Sequence, residues 1–276
     1  MHLNLDETWA EGLLGLECVD AREWGSRVRY FAPERLLAEF YRSVLAGLPR
    51  FVLYGSGDFH HLAGWLVRRV EGPVTLVSFD NHPDWDVRPP RWGCGGWVNR
   101  ALALANVEKA SVWGCGNFEL DWPGRVFANR RDLRSGRLEV HPWAERFGAA
   151  TAKRFDAMTR ENWRARFDTF ARGLKTPVYV TVDMDCLDAA SAVTNWENGL
   201  FMADDVGWAL GKLWEHSKVV GGDICGAYSR PLFERWTQKL AGWWDHPKLP
   251  AVDLAAAREI NLKSLERIWP ALVGEG

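Results

Sequence analysis

The segment Val74-Thr75-Leu76-Val77-Ser78-Phe79-Asp80-Asn81-His82-Pro83-Asp84 decides how this chain is read. Its first six residues are mostly β-branched or apolar, the pattern of a buried strand. The run then breaks into acids, an imidazole and a proline, which end the strand. Along an extended segment residues i, i+2 and i+4 point the same way, so Asp80, His82 and Asp84 can present three side chains to one spot. In open parallel sheets ligands bind at the carboxyl ends of strands, which is where these three stand.

Working outward, apolar runs alternate with amphipathic stretches, the signature of a parallel sheet covered by helices. Upstream, Pro33–Leu48 reads as a helix and Phe51–Tyr54 as a strand stopped by Gly55-Ser56-Gly57-Asp58, followed by a helix over His60–Val70. Downstream, a glycine-rich turn at Gly93–Gly96 precedes a helix, and strands are expected at Ala110–Gly114 and around Leu138–Val140. A helix over Glu161–Leu174 leads into Val178–Val182, a β-branched strand that ends in Asp183-Met184-Asp185. A helix at Asp204–Glu215, a strand running from Lys218 to Gly222-Asp223 and a closing helix from Ala251 to Leu272 complete the reading. The stretch Asn117–Arg160 shows no clear periodicity. No repeat or low-complexity linker divides the chain, so residues 1–276 are expected to form a single α/β domain.

Composition narrows the function. At 47% hydrophobic and 25% charged residues, the balance is that of a globular enzyme. A formal charge of −2 offers no basic field for nucleic acid, which leaves a small-molecule substrate as the expected partner. No apolar run approaches the roughly 20 residues needed to cross a bilayer. Met1–Glu7 lacks a basic segment followed by an apolar one, so a cytoplasmic location and no membrane partner are expected. Five scattered cysteines without C-x-x-C spacing argue for reduced thiols. The 17 tryptophans are assigned chiefly to core filling, with a subunit interface or a pocket wall as alternatives.

Each acidic residue taken alone could be a turn former or a helix cap. Taken together, two strand ends carrying Asp80/His82/Asp84 and Asp183/Asp185, plus His60 or His61 after a third strand, point to metal, because so many buried carboxylates would otherwise repel one another. Four carboxylates balance two divalent cations and leave the imidazoles neutral. An oxygen-rich donor set without thiolate suits manganese. Two ions ~3.5 Å apart lower the pKa of a shared water toward neutrality and generate hydroxide, so hydrolysis is the expected reaction class.

At these residues the chain resembles the ureohydrolase superfamily of arginase, agmatinase and formiminoglutamase. The resemblance runs from about Phe51 to Tyr228. It is carried by Gly57-Asp58-Phe59-His60-His61-Leu62-Ala63, by Asp80-Asn81-His82-Pro83-Asp84 and by Asp183-Met184-Asp185-Cys186-Leu187-Asp188. It implies a three-layer α/β/α sandwich around a mostly parallel, eight-stranded sheet, a homo-oligomer, and a dinuclear manganese site. It further implies His60, Asp80, Asp84 and Asp183 for the first metal, and Asp80, His82, Asp183 and Asp185 for the second. Asp84 would orient the hydroxide and Asp185 would relay a proton to the departing nitrogen. Asp188 would tie down its loop, and Asp86 reads as a turn or cap residue.

Three departures from the family pattern concern substrate. Gly226 stands where the family places a guanidinium-gripping glutamate, Cys94 or a neighbouring glycine stands at the proton-shuttling histidine, and Ala189 replaces a proline. Glu197 is a candidate for the missing carboxylate, and a turn cap is the alternative. Cys94 reads either as an activated thiol or as a small packing residue. Gly226 is expected to vacate space edged by Trp97, Trp196 and Tyr228. The function expected is dinuclear manganese-dependent hydrolysis of a guanidino, formimino, amidino or amide-like C–N bond. The alternatives are a deacetylase-like amidohydrolase with one zinc and an inactive metal-binding relative.

Overall fold

A computed structural model describes residues 1–90, 92–248 and 251–275. Its centre is one sheet of eight strands: β1 His2–Asn4, β2 Cys18–Asp20, β3 Phe51–Leu53, β4 Val74–Phe79, β5 Val107–Trp113, β6 Leu138–His141, β7 Val178–Asp183 and β8 Val219–Cys225. They lie in the order β2-β1-β3-β8-β7-β4-β5-β6, and every pairing is parallel. All carboxyl ends therefore share one edge.

Period-2 alternation divides the buried side chains between two faces. Val52, Tyr54, Leu76, Ala110, Val112 and Tyr179 pack on one side beneath helices Arg22–Val28, Glu34–Ser43 and Trp97–Leu102. Leu53, Val77, Phe79, Val178, Val180 and Val182 pack on the other, beneath Trp163–Gly173, Ala203–His216 and Leu254–Val273. Both faces are covered, which gives the three-layer α/β architecture that the strand pattern implied. Ten of the 17 tryptophans are buried, in line with the core reading, while Trp122, Trp236, Trp243 and Trp244 are exposed.

The structure departs from the sequence reading in several places. Strands β1 and β2 extend one edge of the sheet, and at three residues each they are too short to show periodicity. The expected helix His60–Val70 is a 3-10 turn over Gly57–Leu62, one α-turn over Ala63–Leu66 and a second 3-10 turn. Every residue from Gly57 to Val67 is buried, so the segment has no polar face to organise an amphipathic helix. Helix Trp236–Asp245 was not read at all. The closing helix begins at Leu254, because Asp253 caps the Ala255 and Ala256 N–H groups.

Candidate metal centre and the cleft above it

Strands β3, β8, β7 and β4 are neighbours, and register brings their ends together. Phe79 pairs with Val182, so the next residues, Asp80 and Asp183, lie side by side. Asp183 also pairs with Cys225 at the end of β8, whose thiol stands 3.6 Å from Asp183 Oδ2. The turn after β3 adds His60. Its Nδ1 lies 3.0 Å from Asp80 Oδ2, 3.4 Å from Asp84 Oδ2 and 3.5 Å from Asp183 Oδ2. The other oxygen of Asp80 faces His82 Nδ1 at 3.6 Å, and Asp185 Oδ2 faces the same nitrogen at 2.8 Å. Asp80 thus joins two donor groups, one of His60, Asp80 and Asp84 and one of Asp80, His82 and Asp185. Of the adjacent histidines it is His60 that faces the carboxylates; His61 is wholly buried, and neither of its ring nitrogens has a hydrogen-bond partner among the described residues.

Surrounding groups fix these side chains. His60 Nε2 meets the Thr181 hydroxyl at 2.9 Å, and that hydroxyl donates to Asp223 at 2.7 Å. Asp223 also accepts from the hydroxyls of Tyr54 and Tyr179. Trp97 Nε1 donates to Asp84, and the Asn81 N–H donates to Asp185. Asp84 is held at φ +47°, an unfavourable conformation for a residue with a side chain. Asp58, two residues before His60, pairs with Arg29 at 2.6 Å and with His246 at 2.8 Å, and accepts from Trp196 Nε1. Burial alone would raise the pKa of Asp58, but Arg29 and His246 hold it well below the carboxylate range. Arg29 also donates to Ser56 and Ser229, which anchors the turn that carries His60.

The electrostatics are those of a cluster that needs positive charge. Burial pushes Asp84 up to about 7, with the charge of Asp80 adding to it. Burial lifts Asp185 to about 6 against the pull of His82, and burial with Asp185 lifts Asp183. Burial opposes charge on both imidazoles, but the surrounding carboxylates hold His60 and His82 well above the usual value. Asp80, held down by His60 and His82 against its burial, stays ionised while the other three carboxyls are raised, and cations in this space would satisfy all of them. The donor set is of the kind that holds divalent cations.

The cluster floors a cleft of about 910 Å³ whose lining includes His60, Asp80, His82, Asp84, Asp183, Asp185, Cys94 and Glu197. Glu197 is half-exposed at 3.6 Å from His82 Nε2. Burial, then the charge of Asp84, pushes the Cys94 thiol above its ordinary pKa. Two substrate assignments need correction. Trp97 is wholly buried and braces Asp84 from behind, outside the cleft lining. Gly226 vacates no space: it sits at φ +106°, and a Cβ there would lie 2.2 Å from Asp183 Oδ1 and 2.3 Å from the Met184 nitrogen. It is a glycine because the Asp183 carboxylate packs against it.

Sequence reasoning missed Glu119, which lines the cleft with one carboxyl oxygen buried and without a hydrogen-bond partner among the described residues. It falls in the stretch that lacked periodicity. It also missed Arg29, whose signal was a lone charge inside Val28-Arg29-Tyr30-Phe31, and His246. Asp188 accepts the Ser191 N–H and holds its loop, and Asp86 accepts the Arg88 N–H within a turn.

Comparison with known proteins converges on one group. The model of the arginase family matches residues 35–228. The fold resembles proclavaminate amidino hydrolase from Streptomyces clavuligerus with a TM-score of 0.55 at 21% identity, over 92% of this chain and 76% of that one. It resembles an arginase from Bacillus subtilis with a TM-score of 0.58 at 11% identity, over 100% and 98% of the two chains. An agmatine ureohydrolase of Thermoplasma volcanium gives 0.50 at 18% identity, over 97% and 89%. An uncharacterized protein of Thermotoga maritima is 28% identical over 173 residues, or 62% of this chain. The match spans 55% of that relative's length.

Proposed function

The chain belongs to the arginase family, and from that premise we propose that it is a hydrolase that holds two divalent ions, manganese fitting best, and cleaves a carbon–nitrogen bond in a small molecule. The observation that carries this reading is the divided role of Asp80, with one oxygen toward His60 and the other toward His82. His60, Asp80, Asp84 and Asp183 would hold one ion, and Asp80, His82, Asp183 and Asp185 the other. When bound, such a pair acidifies water toward neutrality and stabilises the negative charge that develops during attack.

The chain's own groups do the rest. Asp84, gripped by Trp97, orients the attacking water by accepting its hydrogen. Asp185, positioned by the Asn81 N–H, passes a proton to the leaving nitrogen. Glu197 at the mouth offers a carboxylate to the nitrogen side of the substrate. A guanidinium placed beside two cations needs a paired carboxylate with bidentate geometry, and position 226 supplies none. A neutral or weakly basic substrate is therefore favoured over arginine, and arginine should be turned over with kcat/KM below about 10⁴ M⁻¹s⁻¹.

Elemental analysis after manganese loading tests the centre: two ions per chain are expected, and Asp80→Asn should lose both. One ion per chain would instead favour the second reading, a single-metal amidohydrolase. Release of ammonia, urea or amine from a panel of amidino, formimino and acylated amines tests the reaction. A fully loaded protein that turns over none of them would point to a binding role.

A further inference from the structure

Helix Trp236–Asp245 forms one wall of the cleft, and its apolar residues face the wrong way for a core. Trp236, Leu240 and Trp244 recur at i, i+4 and i+8, are 72%, 56% and 78% exposed, and all line the cleft floored by the carboxylate cluster. Phe118, Pro123 and Phe127 line the same cleft from the loop after β5.

The opposite face of the helix is pinned, so this orientation is built into the fold. Gln238 is wholly buried, donates to the Arg29 carbonyl at 2.6 Å and accepts the Arg235 N–H. Gly242 lies against Phe233, where a Cβ would come within 2.9 Å of the ring. The carboxyl end is clipped twice, by Asp245 to the Tyr30 hydroxyl and by His246 to Asp58 at 2.8 Å. The same His246 ring packs edge-on against Trp196, the neighbour of Glu197.

Above the cluster the cleft carries the Glu197 and Asp245 carboxylates. Arg88, its one arginine or lysine among the described residues, pairs with Asp86 and lies 3.7 Å over the Phe127 ring. Glu119 turns a buried carboxyl oxygen without a hydrogen-bond partner among the described residues into the same cleft.

We infer that the cleft selects a C–N substrate carrying a flat or extended apolar group, which seats against Trp236, Leu240 and Trp244, so that this helix sets specificity. The inference rests on the hydrolase reading above. It explains why large apolar side chains stay exposed at this place, since a wall continuous with a polar floor suits an amphipathic ligand.

Two chelators with one head group and different tails, acetohydroxamate and 4-phenylbutyrohydroxamate, test it by calorimetry on the manganese-loaded protein. The phenyl compound should bind roughly 10- to 100-fold more tightly. In a Trp236→Ala/Trp244→Ala variant that ratio should fall to within about threefold, with the melting temperature unchanged because both side chains are exposed. Equal affinities in the wild type would overturn the wall while leaving the metal centre standing. Failure of both compounds to bind would overturn the centre and the wall together. An unchanged ratio in the variant, with light scattering showing a smaller assembly, would make the tryptophans an interface between copies and overturn the assignment.

Discussion

Replacing Gly226 by Ala puts one methyl group into the tightest contact of the centre. The new Cβ would meet Asp183 Oδ1 at 2.2 Å and the Met184 nitrogen at 2.3 Å, both well inside van der Waals distance. Gly57 closes in from elsewhere, where a Cβ would lie 2.7 Å from Asp183 Oδ2, so the carboxylate has little room to retreat. The backbone at φ +106° adds its own penalty for a residue with a side chain. Left-handed strain of about 1–2 kcal/mol and overpacking of about 1–3 kcal/mol give a loss of about 2–5 kcal/mol. At about 2–4 °C per kcal/mol for a domain of this size, the melting temperature should fall by roughly 4–20 °C. If Asp183 rotates to relieve the clash, it abandons the position between the two donor groups, and manganese affinity should drop at least about tenfold. Thermal melts and calorimetric metal titration measure the two effects. Gly211→Ala is the control: it lies inside helix Ala203–His216 with nothing within 4 Å, so it should be neutral or stabilising by up to about 1 kcal/mol. A Gly226→Ala protein that melts within a degree of wild type and binds manganese normally would refute the account of this position.

Asp223→Asn leaves three buried hydroxyls sharing a poorer acceptor, so it should cost about 1–3 kcal/mol and weaken manganese binding about 10- to 100-fold by releasing His60; unchanged affinity in a metal titration would reject that chain of contacts. Arg29→Ala leaves Asp58 buried with only its His246 and Trp196 partners and should cost about 3–5 kcal/mol in urea denaturation, a loss under 1 kcal/mol being the contrary result. His141, stacked on Trp113 at 3.7 Å, is pushed down to about 3 by burial, with Arg166 and Lys109 adding to the effect. Its folded value lies below the unfolded one of about 6.5, so its contribution is complete above pH 6.5 and lost as pH falls toward 3, at about 1.4 kcal/mol per pH unit. His141→Phe should remove that component, so the stability gap between wild type and variant should shift by about 2 kcal/mol between pH 7 and pH 5; parallel stability curves would contradict it.

The centre was legible because its residues obey the simplest rule of extended chain. Asp80, His82 and Asp84 alternate after one apolar run, and Asp183 and Asp185 after another, so strand periodicity announced where the sheet edge would gather charge. What could not be read depends on partners distant in sequence. Adjacent His60 and His61 look alike until the 3-10 turn sends one toward the carboxylates and the other into the interior, where burial and the charge of His60 lower its pKa to about 3. Gly226 looked like a deleted side chain, whereas its space belongs to Asp183, 43 positions earlier. Helix Trp236–Asp245 escaped because its apolar face lines a cleft and its polar Gln238 is buried, which inverts the pattern that identifies a surface helix. Glu119 sits in the short 3-10 turn Phe118–Leu120, too brief to show periodicity in the sequence.

The hydroxyls around Asp223 settle a matter of proton direction. An ionised Asp223 only accepts, so Tyr54, Tyr179 and Thr181 must all turn their hydrogens toward it. Thr181 has then spent its hydrogen and can only receive one from His60 Nε2. Once a cation takes the place of the proton on Nδ1, that commitment selects a single tautomer of the neutral ring, with hydrogen on Nε2 and the Nδ1 lone pair toward the space between Asp80, Asp84 and Asp183. A carboxylate on β8 thereby chooses, through one hydroxyl on β7, which nitrogen of a histidine after β3 is free to act as a Lewis base.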